Sequence, residues 1–295
     1  MIDNISQFLN SIREFGLQPY NHIEPGKIYR VPGIGKKRGN TAGWYQLFHD
    51  GLGGCYGDWS IGQSGSWHIK NNSPLSPAER NNFNDHINEA KRQAKLQLKH
   101  KQSAAAKKAC SIWYMSRSAN NHHPYLIQKG INSRNSRLYK QSLVLSIMSF
   151  SGKISSLQFI EPNGKKILLS GGRKKGCFIP VTSFTDDFTK VIICEGWSTG
   201  CTLAELEPKA HVLAAIDAGN LQSVAIAARK QWPNTELIIA GDDDRLTVTN
   251  VGATKARSAA IASGALLMLP QWPEGSPDNL TDFNDLVTWL TRGEI

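Results

Sequence analysis

The sequence predicts an α/β protein whose C-terminal part is a parallel sheet with helices on both faces. From Lys190 onward, the short apolar runs VIIC, HVLAAI, ELIIA and ALLML alternate with longer helical segments, which is typical of a covered parallel sheet. Residues 120–188 instead carry strand-like runs separated by turn signals such as Glu161-Pro162-Asn163-Gly164. They predict a smaller α+β subdomain that precedes the parallel sheet.

Residues 1–75 predict a mostly β unit that begins with one short helix. The segments GWYQLFHDG, GCYGDWSIG and SGSWHIK are rich in aromatic residues and bounded by glycine, as strands between tight turns are. Trp44, Trp59 and Trp67 lie in these segments. We expect them to pack in a core, because aromatic side chains chiefly do so, with stacking on single-stranded bases as the alternative.

Residues 76–119 predict a polar helical connector. Ser76 and Pro77 form a helix start, with serine as the N-cap and proline at the first position. Residues 79–108 hold eight Lys/Arg, three acids and few large apolar residues. A helix this polar is expected to be solvated, and contact with a phosphate backbone is the less favoured alternative.

Charge divides the chain into a basic and an acidic half. Residues 1–175 hold 26 Lys/Arg and 9 Asp/Glu, for a net charge of +17, whereas residues 176–295 hold 8 and 15, for a net charge of −7. This asymmetry fits a surface that grips a polyanion beside a cation-binding centre. Simple solvation of the surface is the alternative.

Several classes of protein are disfavoured by what the sequence lacks. It has neither a basic, apolar leader nor an apolar run of about 18 residues, so we expect a cytoplasmic protein without a membrane span. The five cysteines are scattered, which argues against a zinc ribbon or a disulfide framework. Cys177 and Phe178 stand where a phosphate-binding loop needs Lys and Ser/Thr, so ATP-driven helicase activity has no support.

Acidic residues follow three of the predicted parallel strands. VIIC runs into Glu195, ELIIA runs through Gly241 into Asp242-Asp243-Asp244, and HVLAAI ends at Asp217. Ligands of open parallel sheets collect at the carboxyl ends of the strands, and carboxylates that meet there repel one another unless protons or cations intervene. Oxygen ligands of this kind suit Mg²⁺ or Mn²⁺. Acids placed there only as ordinary loop residues are the alternative.

These residues also carry a resemblance to a known family. A strand, Glu-Gly and a helix, followed about 45 residues later by a strand, Asp-x-Asp and a helix, resemble the Toprim domain of primases, topoisomerases and related nucleases. The match spans about residues 189–290, within a predicted domain of residues 189–295. CEGWSTG, AIDAGNL, IIAGDDD, NVGATKA and DFNDL resemble, in the same order, primases carried by conjugative plasmids, satellite phages and integrative elements. SLQFIEPNGKKILLSGGRKKGCF is similar to the small basic subdomain that precedes Toprim in bacterial-type primases.

The resemblance implies a DNA primase that makes short RNA primers from NTPs on a single-stranded DNA template, with a replicative helicase as a further partner. It implies a metal-dependent nucleotidyl transfer that uses Mg²⁺ or Mn²⁺. The implied catalytic and metal-binding carboxylates are Glu195, Asp242 and Asp244, with Asp282 and Asp285 as further metal ligands. The implied nucleotide- and DNA-binding residues are Lys166, Arg173, Lys174 and Lys175, and those of the site rim are Gly196, Asp217 and Asn220.

Alternatives stay open at this point. Helix capping is a second explanation for Asp282, and solvation is one for Arg173 and Lys174. A Toprim nuclease would use the same carboxylates to hydrolyse DNA, whereas in a non-catalytic DNA-binding or loading factor the Toprim domain would only stabilise the fold. The zinc module that often begins such primases is missing from this sequence, which leaves two interpretations: recognition of a template sequence is absent, or another chain supplies it.

Overall fold

The computed structural model describes residues 2–69, 76–183 and 187–293. The chain divides into two compact units, Met1–His100 and Lys101–Ile295. Within the described ranges, no helix has the length and apolar character that crossing a bilayer requires.

The first unit is a four-stranded antiparallel sheet with helices. Its elements are α1 (Ile2–Glu14), β1 (Tyr29–Val31), β2 (Gly43–Leu47), β3 (Gly53–Asp58), β4 (Gln63–His68) and the first part of α2 (Pro77–Met115). The strands pair in the order β1-β2-β3-β4. The three aromatic segments of the sequence are thus β2, β3 and β4, which confirms the mostly β character expected for the N-terminal part.

The two faces of this sheet bury different side chains because successive residues of a strand point to opposite sides. Tyr45 and Leu47 of β2 pack with α1. Trp44, together with Phe48 just beyond β2, packs with Ala90 and other residues of α2. Helix α1 therefore covers one face of the sheet and helix α2 covers the other, and each face has its own apolar cluster.

Helix α2 begins at Pro77 as expected, and most of its described residues are exposed, but a narrow stripe is buried. Ala90 and Ala94 are buried in the first unit, and Ala109 and Ile112 are buried in the second. Alanine lets a helix approach its neighbour closely, so a narrow stripe is buried although it contains few large apolar residues. A count of large apolar residues misses such a stripe.

The second unit starts with a strongly basic antiparallel sheet. Its elements are β5 (Arg117–Ser118), α3 (Pro124–Lys129), β6 (Arg137–Tyr139), β7 (Ser142–Met148), β8 (Ile154–Ile160) and β9 (Lys166–Leu168). The strands pair in the order β5-β6-β7-β8-β9. Residues 101–175 hold 14 Lys/Arg and a single acid, so this part of the chain has the charge that binds polyanions.

The remainder of the second unit is the parallel sheet that the sequence predicts. Its elements are β10 (Ile179–Pro180), β11 (Lys190–Cys194), α4 (Trp197–Leu206), β12 (Ala210–Ala214), α5 (Ala218–Gln231), β13 (Glu236–Ala240), α6 (Val251–Ser263), β14 (Leu266–Met268) and α7 (Phe283–Gly293). The order is β10-β12-β11-β13-β14, and only β10 runs antiparallel to its neighbour among these described strands.

Helices cover both faces of this sheet, which confirms the expected α/β class. Residues of α4 and α7 share one apolar cluster with Ile192 and Val212, whereas residues of α5 and α6 share another with Val191 and Ile193. Strand β10 joins this sheet although its sequence lies in the range 120–188. The division of the chain at residues 75, 119 and 188 stays a prediction.

Candidate functional site

The two strands that end in acids are neighbours in the sheet. Strands β11 and β13 are parallel, and Cys194 pairs with Ala240. Glu195 follows β11 directly, and Asp242 comes two residues after β13. Because parallel strands end at the same edge, the structure brings these two carboxylates to one place.

Asp242 has the most perturbed carboxyl group of this edge. Burial, followed by the negative charges of Glu195, Asp282 and Asp244, raises the pKa of Asp242 to about 8. Its Oδ1 atom is buried and has no hydrogen-bond partner among the residues that the structure describes. An unpartnered buried oxygen among like charges is costly, and a bound cation would remove that cost.

Glu195 lies in the same negative field. Burial raises the pKa of Glu195, and the negative charges of Asp217 and Asp244 raise it further. A hydrogen bond from the backbone N–H of Ala218 lowers this pKa in part. Ala218 opens α5 just after Ile216, whose φ of 80° is rare for a β-branched residue. Backbone strain of this kind clusters at functional sites; here it lies in the turn that places Ala218 beside Glu195.

A hydrogen-bonded loop holds the three consecutive aspartates. Asp244 Oδ2 accepts from the backbone N–H of Gly252 at 2.8 Å, while Asp243 accepts from Asn250 and Trp272 Nε1, at 2.6 and 2.9 Å. Asp243 therefore supports the loop, and its neighbours are left to face the site. Asn250 also caps α6 and accepts from Asp244 N. Asparagine before a helical run is the signal that could have identified it.

The two acids of the DFNDL segment differ in position. Asp282 lies close enough to raise the pKa of Asp242, and its carboxylate also accepts from Thr199 Oγ1 at 3.1 Å and from the N–H of Asp285 at 2.9 Å. The second contact is a helix cap. Asp285 pairs with Lys129 at 3.1 Å. Burial lowers the pKa of Lys129, but the negative charges of Asp282 and Asp285 together outweigh burial and raise this pKa above its ordinary value. The cation-binding role expected for Asp285 finds no support in this position.

Of the four basic candidates, Lys166 is the one whose charge acts on both Glu195 and Asp242. Its charge lowers the pKa of Asp242 and of Glu195, against the larger effect of burial. Lys174 forms an ion pair with Asp217 at the start of α5. The guanidinium of Arg173 donates to Cys177 Sγ at 3.2 Å, and Lys175 is exposed. The structure thus brings Lys166 and Lys174 to the acidic edge, whereas Arg173 turns back onto its own loop.

The remaining rim residues have structural positions. Gly196 is the N-cap of α4, and a Cβ atom there would lie 4.0 Å from Lys166 Nζ. Asn220 is buried at the start of α5, and its Oδ1 accepts from the N–H of Gly176 at 2.9 Å. Asn220 therefore ties the loop of residues 169–178, which carries Arg173, Lys174 and Lys175 and which we call the basic loop, to helix α5.

The carboxylate oxygens at this edge of the sheet are the kind of ligand that a divalent cation such as Mg²⁺ prefers. Among the described residues, no three His, Cys, Asp or Glu side chains meet closely enough to hold a metal ion as they stand. The orphaned Oδ1 of Asp242 and the mutual repulsion of its neighbours nevertheless match a hard cation with oxygen ligands.

Residues 190–291 match the family model of the Toprim domain. This part of the chain is therefore a Toprim domain, as its sequence motifs indicate.

The relatives of the chain are primases by name. It is 30% identical to a DNA primase TraC of Escherichia coli over 280 residues, which cover 90% of this chain and 19% of that protein. A second DNA primase TraC of Escherichia coli is 32% identical over 269 residues, which cover 86% of this chain and 25% of that protein. The chain spans about a fifth to a quarter of these curated relatives. The expected resemblance to Toprim-domain primases is confirmed.

Among solved structures, the primase fragment of the bacteriophage T7 primase-helicase protein aligns with a TM-score of 0.42 and 14% identity. The alignment covers 61% of this chain and 77% of that one.

Proposed function

We propose that the chain is a DNA primase, which synthesises short RNA primers on single-stranded DNA by metal-dependent nucleotidyl transfer. The observation that carries the proposal is the convergence of Glu195, Asp242, Asp244 and Asp282 on one edge of the Toprim sheet, where the pKa of Asp242 rises to about 8. Similarity to the TraC primases over most of the chain supports this reading.

Asp242, Asp244 and Glu195 would hold Mg²⁺ or Mn²⁺, and Asp282 supports the same acidic edge. When bound, such a cation supplies electrostatic stabilisation of the charge on a transferring phosphoryl group and on the leaving oxygens. We assign Asp242 as the principal ligand because its Oδ1 is buried and unpartnered among the described residues.

The other residues of the edge bind and orient the reactants. In primer synthesis, a 3′-hydroxyl oxygen attacks the α-phosphate of an NTP and pyrophosphate leaves. Lys166 is the cation whose charge acts on both Glu195 and Asp242, so we place the triphosphate against it. As an alternative to binding the cation, Glu195 would exchange a proton during the transfer, which its raised pKa favours.

The basic surface of the second unit would bind the template. Residues 101–175 carry a net charge of +13, and phosphate contacts from lysine and arginine give an affinity that falls with salt. Lys174 and Lys175 extend this charge to the edge of the site. A replicative helicase as a partner stays a prediction of the resemblance.

The test is incubation of the chain with single-stranded DNA, labelled NTPs and either Mg²⁺ or Mn²⁺. Labelled primers of a few nucleotides are the expected product, and Asp242→Asn should not make them. Shortened template without primers would replace the proposal with a nuclease. DNA binding with neither product would point to an accessory factor.

A further inference from the structure

The first unit contains a cavity outside the Toprim site whose lining combines an aromatic platform with cations. It has a volume of about 440 Å³, within the range of small-ligand pockets, about 300–1,000 Å³. Its lining comprises Trp44, Trp59 and residues 62–64 on the side of the sheet, and Asn88, Lys91, Arg92 and Lys95 on α2.

The aromatic part of this cavity is a supported indole pair. The rings of Trp44 and Trp59 stack, with centroids 5.8 Å apart and planes inclined by 23°. Trp44 is 2% exposed, whereas Trp59 is only partly buried. Gly57 is required beneath the pair because a Cβ atom there would lie 2.8 Å from Trp44 Nε1. Trp44 thus fixes Trp59 from the inside, and Trp59 lines the cavity.

The cationic part lies along α2. Lys91 and Lys95 are exposed and one helical turn apart, which is about 6 Å along the axis. Arg92 is neutralised by Glu89 through contacts of 2.7 Å. Neither lysine forms an ion pair with any residue in the described ranges. Two uncompensated charges therefore stand beside the indole platform.

We propose that this cavity, which we call the Trp59 pocket, binds an unpaired base of single-stranded DNA, with Lys91 and Lys95 on its flanking phosphates. Stacking on an aromatic side chain together with cations along the backbone is how single strands are held without sequence readout. A duplex does not fit, because its bases are already covered by their neighbours. That the strand is DNA rests on the proposed primase function; the pocket chemistry alone specifies a single-stranded polynucleotide.

Binding of a labelled dT oligonucleotide to the full chain, followed by fluorescence anisotropy in EDTA, tests the pocket without any need for catalysis. Trp59→Leu removes the platform and should weaken binding by about 5- to 150-fold, the range for loss of one stacked base. Trp67→Leu is the matched control, because Trp67 packs with α1 on the other face of the sheet. It should leave the affinity unchanged.

The double variant Lys91→Ala/Lys95→Ala tests whether the two lysines contact phosphates. Both side chains are exposed, so their loss does not threaten folding. It should reduce the slope of log affinity against log salt by about 1.4, since each phosphate contact to a single strand contributes about 0.7. Arg13→Ala is the control, because Arg13 is an exposed cation on α1. Photo-crosslinking of an iodouracil oligonucleotide to the unaltered chain, read by mass spectrometry, should label Trp59.

The pocket proposal is overturned if Trp59→Leu binds like the unaltered chain, if Trp67→Leu loses as much affinity, or if the crosslink lies elsewhere. Losses confined to an RNA oligonucleotide would overturn the assignment to DNA. Primer synthesis by the unaltered chain is measured in parallel. Its absence, with the binding losses present, would end the primase proposal and leave the Trp59 pocket standing.

Discussion

The side-chain amide of Asn220 donates a hydrogen bond to the backbone carbonyl of Lys174, at 3.2 Å. The same Nδ2 atom lies 2.8 and 2.9 Å from the carbonyl oxygens of Cys177 and Ala215. Lys174 also forms an ion pair with Asp217, three residues before Asn220. The basic loop is therefore held to the start of α5 through both its backbone and a side chain.

Removing this amide should loosen the loop. Asn220→Ala leaves several buried carbonyls and the N–H of Gly176 without their partner, and each unsatisfied group costs about 1–3 kcal/mol. We expect a loss of about 3 kcal/mol in the free energy of unfolding, measured in urea, and weaker binding of single-stranded DNA. Asn163→Ala is the control, since Asn163 makes an exposed hydrogen bond to Lys165 N. Equal losses for the two variants would refute the role of Asn220.

Asp242→Asn should abolish primer synthesis, by about 1,000-fold or more, because it removes the charge of the principal cation ligand. Without divalent cation the variant should be the more stable protein near pH 8. Folding raises the pKa of Asp242 from 3.8 to about 8. The contribution of Asp242 to stability is therefore lost as the pH rises through this range. Asparagine has no such loss.

Thermal unfolding with and without Mg²⁺ gives a second readout for this residue. Mg²⁺ should raise the melting temperature of the unaltered chain and leave that of Asp242→Asn nearly unchanged. Asp278→Asn, at a carboxylate whose side chain is 77% exposed, should respond like the unaltered chain. The same Mg²⁺ shift in Asp242→Asn would show that the cation binds elsewhere.

Lys166→Met should reduce kcat/KM for NTP by about 10- to 150-fold, the effect of losing one hydrogen bond to a charged group of about 1.5–3 kcal/mol. Lys166 is the cation that opposes the raised pKa of both Glu195 and Asp242. Its neighbour Lys165 pairs with Glu161 at 3.8 Å and provides the matched control, Lys165→Met. Steady-state rates that fall equally in both variants would count against a contact between Lys166 and the nucleotide.

His211 should make the Toprim domain sensitive to acid. Burial lowers the pKa of His211 from 6.5 to about 4, so its stabilising contribution is complete above about pH 6.5 and is lost as the pH falls toward 4. Between about pH 7 and about pH 5, the free energy of unfolding should fall by about 2 kcal/mol because of His211. Urea unfolding at both pH values should show a smaller difference for His211→Asn, which keeps an acceptor for Thr182 Oγ1.

The exposed His22 provides the control for this measurement. His22→Asn should keep the pH dependence of the unaltered chain. A pH dependence that is unchanged in His211→Asn would assign the acid sensitivity to other groups.

Much of the Toprim sheet could be predicted from sequence because its signals are local. The apolar runs before Glu195 and Asp242 are the buried strands β11 and β13, and the rule for parallel sheets brings their ends together. The starts of α2 and α6 likewise have N-cap residues beside them in the sequence.

The contacts that escaped prediction join residues far apart in the chain. Asp285 pairs with Lys129, 156 residues away, and nothing near DFNDL indicates that partner. Lys166 reaches the carboxylates from a strand of another sheet, so only its family resemblance pointed to the site. The positive φ of Ile216 could not be predicted either, because this position holds neither glycine nor asparagine, the residues that usually indicate such a turn.

Helix α2 determines where the chain can be cut into stable fragments. A fragment that begins at residue 120 would lack Ala109 and Ile112 and would expose Val144 and Leu157 of the basic sheet to water. A fragment that ends at residue 75 would likewise uncover Trp44 and Phe48. Each half, when expressed alone, therefore needs the turns of α2 that pack against its core. Cleavage of α2 by a protease within these turns would disrupt both cores.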